Sequence, residues 1–209
     1  MLSECPNTRN GFAIFKKVGT QKMTTEHFYQ NLEGWFTFPQ LYSTLINVIP
    51  KNGKFVEVGV WKGRSFSYFV VENINNNKNI TTYAVDTWEG SPEHTNDSCI
   101  INKTLYEEFI SNMSSVADKF IPMRMTSEQA SKQFEDNSLD AVFIDAQHEY
   151  EPVKQDLELL WPKVKTGGFF CGHDYYNGWP GVEQAINEFA KLKNLTISGQ
   201  EMCWITQKP

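Results

Sequence analysis

Six side chains of this chain stand where chemistry is easily done. Asp145 closes the apolar run Ala141-Val142-Phe143-Ile144, His148 follows it, and His173-Asp174 closes Phe169-Phe170-Cys171-Gly172. Asp86 ends a third run, Tyr83-Ala84-Val85, and Glu57 sits inside a fourth, Phe55-Val56-Glu57-Val58. Carboxylates and imidazoles on neighbouring strand ends can take a proton from a hydroxyl or share a divalent cation. Asp86 has the position from which a carboxylate accepts both hydroxyls of a ribose. Between Glu57 and Asp86 lies Gly59-Val60-Trp61-Lys62-Gly63-Arg64-Ser65. Glycines at 59 and 63 permit a sharp turn and a close backbone approach to a ligand. A helix opening near Gly63 adds free N–H groups and a positive dipole end. Val60 occupies the place of the middle glycine in a dinucleotide fingerprint, the one that admits a pyrophosphate. A nucleoside without phosphates suits this turn better.

Each of these residues has a plainer reading. Asp86 can cap the next segment, His148 can cap a helix near Tyr150–Leu160, and His173 can bond a loop carbonyl. His94 reads as a solvated loop residue. Trp35, Phe36, Trp88, Tyr175, Tyr176 and Trp179 fall mostly in loops at the rim, where rings stack on adenine or a sugar, or else pack in the core. Trp161 and Trp204 read as core. The acidic ends favour a site because they coincide on four strands.

The elements that must hold these residues alternate. Strands are expected at Phe55–Val58, Thr81–Val85, Ile121–Met125, Leu139–Ile144 and Phe169–Gly172. Helices are expected over Ser65–Asn73, Leu105–Phe120, Ser127–Phe134, Val153–Trp161 and Val182–Leu192. Pro162–Gly168 reads as a turn, and Leu195–Ser198 with Met202–Thr206 as a closing hairpin turning at Gly199-Gln200. Near-continuous apolar strands alternating with helices imply an α/β fold with a parallel sheet covered on both faces. In such sheets ligands bind beyond the carboxyl ends of the strands. Residues 1–24 read as an N-terminal extension able to pair two copies as a homodimer. Residues 25–209 read as one domain, with a helical segment over 25–49 broken near Pro39 and a lid-like loop over 88–103.

The 209 residues suit a single core, and the net charge of -6 and pI near 5.3 argue against a nucleic-acid partner. No apolar run is long enough for a membrane span, and the first residues lack the pattern of a signal peptide. The 4 cysteines form no CxxC pair and read as buried or free thiols in a reducing, cytoplasmic setting. Asn-x-Ser/Thr at Asn79, Asn96, Asn102, Asn112 and Asn194 reflects asparagine-rich composition rather than glycosylation.

Taken together, Glu57-x-Gly59-x-x-x-Gly63, Asp86, Asp145 and the terminal hairpin resemble a class I S-adenosylmethionine-dependent methyltransferase. Three stretches narrow the resemblance to the branch called methyltransferase family 24. They are Phe55 to Ser65, Leu139 to Tyr150 (LDAVFIDAQHEY) and Gly167 to Tyr175 (GGFFCGHDY), with Glu33-Gly34-Trp35-Phe36 ahead of them. The resemblance spans residues 30–206. It implies a Rossmann-like αβα sandwich with a seven-stranded sheet ordered 3-2-1-4-5-7-6, the last strand antiparallel.

It also implies roles. Glu57, Gly59, Val60, Trp61, Gly63 and Ser65 would line the methionine and ribose of the cofactor, and Asp86 would hold the ribose hydroxyls. Thr87 and Trp88 would flank the adenine, whose edge Thr126, Ser127 and Glu128 would reach. Asp145 would serve both cofactor and catalysis, with His148, His173 and Asp174 completing the catalytic set and His148 or His173 as base. Related sugar and catechol O-methyltransferases bind magnesium at these strand ends, where the sugar enzymes have two adjacent carboxylates and this chain has His173-Asp174. Mg2+ would be held by Asp145 and Asp174, and the alternative is a metal-free reaction with His148 or His173 as base. The implied activity is O-methylation of a small-molecule acceptor such as a sugar. A nicotinamide-dependent (NAD) oxidoreductase and a non-catalytic cofactor-binding module are the alternatives.

Overall fold

The computed structural model describes residues 24–209. The extension expected over 1–24 therefore lies outside the described residues, apart from Thr24. Strands β1 (Lys54–Val58), β2 (Thr81–Asp86), β3 (Ile121–Arg124), β4 (Leu139–Ile144), β5 (Val164–Gly172), β6 (Ser198–Gln200) and β7 (Cys203–Gln207) form one sheet. Their order is β3-β2-β1-β4-β5-β7-β6, the arrangement the resemblance implied. β1 to β5 run parallel, and β7 runs antiparallel to both β5 and β6.

Burial explains which runs become strands. Every residue of β4 is buried, as a central strand covered on both faces requires. Phe55 faces one core and Val56 and Val58 the other, because side chains alternate across a strand. The first core gathers α1 (Pro39–Val48), α2 (Arg64–Asn75) and α4 (Leu105–Asn112), with the short α3 (Ser98–Ile101) beside them. The second gathers α5 (Ser127–Ser131), α6 (Tyr150–Leu160) and α7 (Pro180–Lys193).

Asparagine turns out to be turn chemistry. Asn52, Asn77, Asn79, Asn137 and Asn194 all sit at positive φ, which asparagine tolerates better than most residues. Cys99, Cys171 and Cys203 are free and buried.

Several boundaries differ from the sequence reading, and the helix expected over Leu105–Phe120 ends at Asn112, with a 3-10 stretch at Ser114–Lys119 after it. The hairpin turns at Glu201-Met202, both at positive φ, and Gly199-Gln200 belongs to β6. β5 starts at Val164, inside the expected turn, and absorbs the glycine pair by a register shift against β4. Proline opens α1 at its first position rather than breaking a longer helix. The 88–103 loop contains a 3-10 turn at Pro92–His94 and the helix α3.

Candidate active site

A cleft of about 650 Å³ runs along the carboxyl ends of β1, β2, β4 and β5, where open parallel sheets bind their ligands. Gly59, Val60, Trp61, Ser65, Asp86, Thr87, Thr126, Ser127, Asp145, His148, His173 and Asp174 all border it. So does Glu128. Glu57, Gly63 and Trp88, which were expected to touch the cofactor, do not line it.

The reason differs for each. Glu57 lies one residue before the end of β1, and strand alternation turns it into the core. There Tyr42 Oη donates to its Oε2 at 2.7 Å and Ser65 Oγ to its Oε1 at 2.5 Å. Burial pushes its carboxyl up to about 8, against those two hydrogen bonds. Gly63, at φ 90, backs onto the Phe109 ring and the Met113 sulfur, 3.1 and 3.2 Å from where a Cβ would stand. Trp88 packs on Phe109 and Tyr106 and donates its Nε1–H to the Trp61 carbonyl at 2.9 Å, bracing the glycine turn from behind.

Gly59 is a glycine for a reason the sequence did not disclose. At φ 86, a Cβ there would stand 1.9 Å from the Asp145 carbonyl oxygen. The turn is tight because the ends of β1 and β4 touch, and this contact sets Asp145 beside the turn. Asp86 fastens the other side: its Oδ2 accepts from Trp61 N–H at 3.0 Å and its Oδ1 from Trp88 N–H at 2.8 Å. Burial raises its pKa despite these backbone bonds. A carboxylate has about four acceptor sites, so Asp86 keeps capacity for ligand hydroxyls.

At the β4 and β5 ends the expected four residues do come together. His148 Nε2 lies 2.9 Å from Asp174 Oδ2, and His173 Nδ1 lies 3.2 Å from the same oxygen. Asp145 Oδ1 is 3.9 Å from His173 Nδ1. Burial raises the Asp145 pKa and the charge of Asp174 adds to that, with His173 opposing. For Asp174, burial is outweighed by hydrogen bonds from His148 and His173, which hold it well below the usual carboxylate range. Asp174 itself sits at φ 62, a left-handed position that aims its carboxylate back across the cleft.

Several bordering residues gave no usable signal in the sequence. Glu93 Oε1 meets His148 Nδ1 at 2.8 Å, so the 3-10 turn of the 88–103 loop reaches the cluster at the β4 and β5 ends. The next residue, His94, is half-buried rather than solvated, its ring 4.2 Å from Trp61 and 5.9 Å from Trp35. Arg64 donates from Nη1 to the carbonyls of Leu32 and Gly34, both at 3.1 Å, tying the segment before α1 to the start of α2. That segment carries Trp35, 67% exposed at the cleft mouth. Asp156 was legible in principle. It falls on the apolar stripe of α6 with Val153, Leu157 and Leu160, where a carboxylate needs a reason.

The cluster offers ligand atoms for a cation: those of Asp145, His148 and Asp174 lie within 4.8 Å of one another. Magnesium fits them poorly. Both ring nitrogens of His148 already meet carboxylates, Asp174 already serves two imidazoles, and a hard cation wants oxygen ligands.

Comparison with known proteins agrees with this topology. An uncharacterized protein of Sinorhizobium fredii, y4gI, is 24% identical over 152 residues, covering 73% of this chain. The chain spans only 16% of that relative's length. Among solved structures, the O-methyltransferase NovP is similar with a TM-score of 0.63 at 18% identity, over 81% of this chain and 78% of that one. CalS11, a TDP-rhamnose 3'-O-methyltransferase of calicheamicin biosynthesis, is similar with a TM-score of 0.57 at 16% identity, over 81% and 76%. A family model described as a methyltransferase domain matches residues 56–175, more than half of the chain. The chain belongs to that methyltransferase-domain family and has the class I methyltransferase fold.

Proposed function

We propose that the protein transfers a methyl group from S-adenosylmethionine to a hydroxyl of a small acceptor, with a sugar or glycoside as the substrate class. The observation that carries this reading is the placement of Asp145 in the cleft that Asp86 and the glycine turn border. Asp86 would hold the ribose hydroxyls, with Gly59 to Trp61 along the methionine and Met125 to Ser127 toward the adenine. When bound, the cofactor supplies an electrophilic methyl carbon on sulfur. The protein's task is then to set the acceptor oxygen roughly 3–3.5 Å from that carbon, in line with sulfur, and to take its proton.

Asp145 suits the proton step best. Its basicity is raised by burial, and it borders the cleft. His148 suits it least, because a neutral imidazole donates from one nitrogen only, and both of its nitrogens face carboxylates. Burial draws the His148 pKa down, but Asp174 and Glu93 outweigh it and push it up to about 9. His148 is therefore a cation that orients Asp174, and His173 is held beside Asp145. The exposed rings of Trp35 and Tyr176 at the mouth favour a ring-shaped acceptor over a chain. The sugar class also rests on the likeness to a sugar methyltransferase fold.

The test is methyl transfer from S-adenosylmethionine to a panel of methyl glycosides and phenols with excess chelator, read by mass spectrometry. Methylated glycoside supports the reading. Cofactor turnover confined to phenols would replace the sugar class, and transfer that stops with chelator would overturn the metal-free step.

A further inference from the structure

Trp35 is an exposed indole on a firmly held segment. Its side chain is 67% exposed where it borders the cleft, yet the chain on both sides of it is pinned. Arg64 Nη1 donates to the Leu32 and Gly34 carbonyls, and the buried Lys62 donates to Glu33 Oε2 at 2.7 Å. On the other side the Phe36 ring packs on Phe38, with centroids 4.9 Å apart. The indole itself leans on His94 alone, at 5.9 Å, and His94 leans on Trp61 at 4.2 Å. These three rings form a column from the glycine turn to the mouth, and its last member is left to solvent. Tyr176 after β5 and Met202 in the β6–β7 turn also expose apolar surface where they border the cleft. Large apolar side chains left exposed around one opening mark a surface that receives a ligand.

The charges around the cleft select against an anion. Among the described residues Arg64 is the sole lysine or arginine bordering it, and its Nη1 is spent on two carbonyls. His148 is taken up between Glu93 and Asp174, while Glu33 and Asp145 add further carboxylates. A diphosphate linkage needs arginine, lysine, a cation or a cradle of N–H groups, and the glycine turn serves the cofactor on the reading above. We infer that Trp35 is a specificity-determining residue whose indole stacks on the apolar face of a pyranose, and that the acceptor is an uncharged glycoside rather than a nucleotide-activated sugar. This rests on the sugar reading above. A glycosyl transfer, which replaces the nucleoside diphosphate at the anomeric carbon by an acceptor oxygen, must then precede methylation.

The experiment offers rhamnose, glucose and galactose, each as its methyl glycoside and as its thymidine diphosphate form, with S-adenosylmethionine. Methyl transfer is followed by mass spectrometry in the wild type, Trp35→Phe and Trp35→Ala. For the sugar that reacts, kcat/KM of the wild type should favour the glycoside by on the order of tenfold or more. Trp35→Ala should raise the glycoside KM by on the order of tenfold with kcat within about twofold, and Trp35→Phe should stay within about threefold of the wild type. Calorimetric affinity for S-adenosylhomocysteine and thermal melting should be the same in all three proteins, which separates lost acceptor binding from lost folding. A preference for the nucleotide form, a KM indifferent to Trp35→Ala, or a matching loss of S-adenosylhomocysteine affinity overturns the inference while the sugar reading stands. A wild type that methylates no sugar in either form overturns the sugar reading and this inference with it.

Discussion

Oδ2 of Asp174 lies 2.9 Å from Nε2 of His148, while Nδ1 of the same ring reaches Glu93 at 2.8 Å. A histidine gripped this way is a charged strut between β5 and the 88–103 loop. On the proposed reading, the proton-accepting role falls to Asp145, whose neighbouring imidazole nitrogen on His173 stands 3.9 Å away.

This division of labour is testable by comparing two variants. Asp145→Asn should lower kcat by roughly 10²- to 10⁴-fold, the range for losing a general base. His148→Ala should cost no more than about tenfold in kcat, because it loosens positioning without removing the base. Steady-state kinetics of both decide the matter. If His148→Ala is as damaging as Asp145→Asn, the imidazole is the base.

The pH profile of kcat/KM supplies a second check. Asp145 acts only when ionised, and its pKa is raised above the ordinary carboxylate value by burial and by Asp174. The rate should therefore climb with pH through a limb displaced upward from about 4, toward neutrality. A flat profile between pH 5 and 8, taken on a rate-limiting chemical step, would assign the base elsewhere.

Glu57 makes a prediction about stability. Its folded pKa of about 8 stands above the ordinary 4.5. The unfolded chain therefore loses this proton first as pH rises. Its contribution favours folding most below pH 4.5 and is lost progressively up to about pH 8. Glu57→Gln keeps the shape and removes the titration. Urea unfolding of this variant should show a flatter stability profile between those limits, with a gain near pH 8 of roughly 1–4 kcal/mol relative to the wild type. An unchanged profile would mean that Glu57 is ionised in the fold.

Two glycines with left-handed backbones should respond differently to alanine. Gly59→Ala drives a Cβ to 1.9 Å from the Asp145 carbonyl at φ 86, whereas Gly167, at φ 77, has nothing within 4 Å. Gly59→Ala should cost at least about 3 kcal/mol in denaturant unfolding and abolish cofactor binding, and Gly167→Ala only about 1 kcal/mol. Equal costs would mean that backbone strain alone governs both sites.

Most of the fold was legible because parallel sheets advertise themselves. β4 is buried throughout and apolar but for Asp140, and the acidic ends of β2 and β4 and the His-Asp pair after β5 mark the rim. What was not legible depends on direction and distance. Sequence placed Glu57 at the strand end, but one step of alternation sends it into the core with Tyr42 and Ser65. Gly59 looked like an accommodation to ligand, and its neighbour is the Asp145 backbone, far away in sequence. Glu93 and His94 belong to a loop whose short helical turn has no periodicity to read. The hairpin slipped because Glu201 and Met202 adopt positive φ, which their side chains do not announce.

The central claim is that this cleft binds S-adenosylmethionine through Asp86 and needs no metal to do so. Calorimetric titration of S-adenosylhomocysteine and NAD, each with magnesium and with chelator, tests it most directly in the wild type and Asp86→Ala. We expect S-adenosylhomocysteine to bind at one site with the same affinity under both conditions, to weaken at least about tenfold in Asp86→Ala, and NAD not to bind. Binding of NAD without S-adenosylhomocysteine, or cofactor affinity untouched by Asp86→Ala, would contradict the claim.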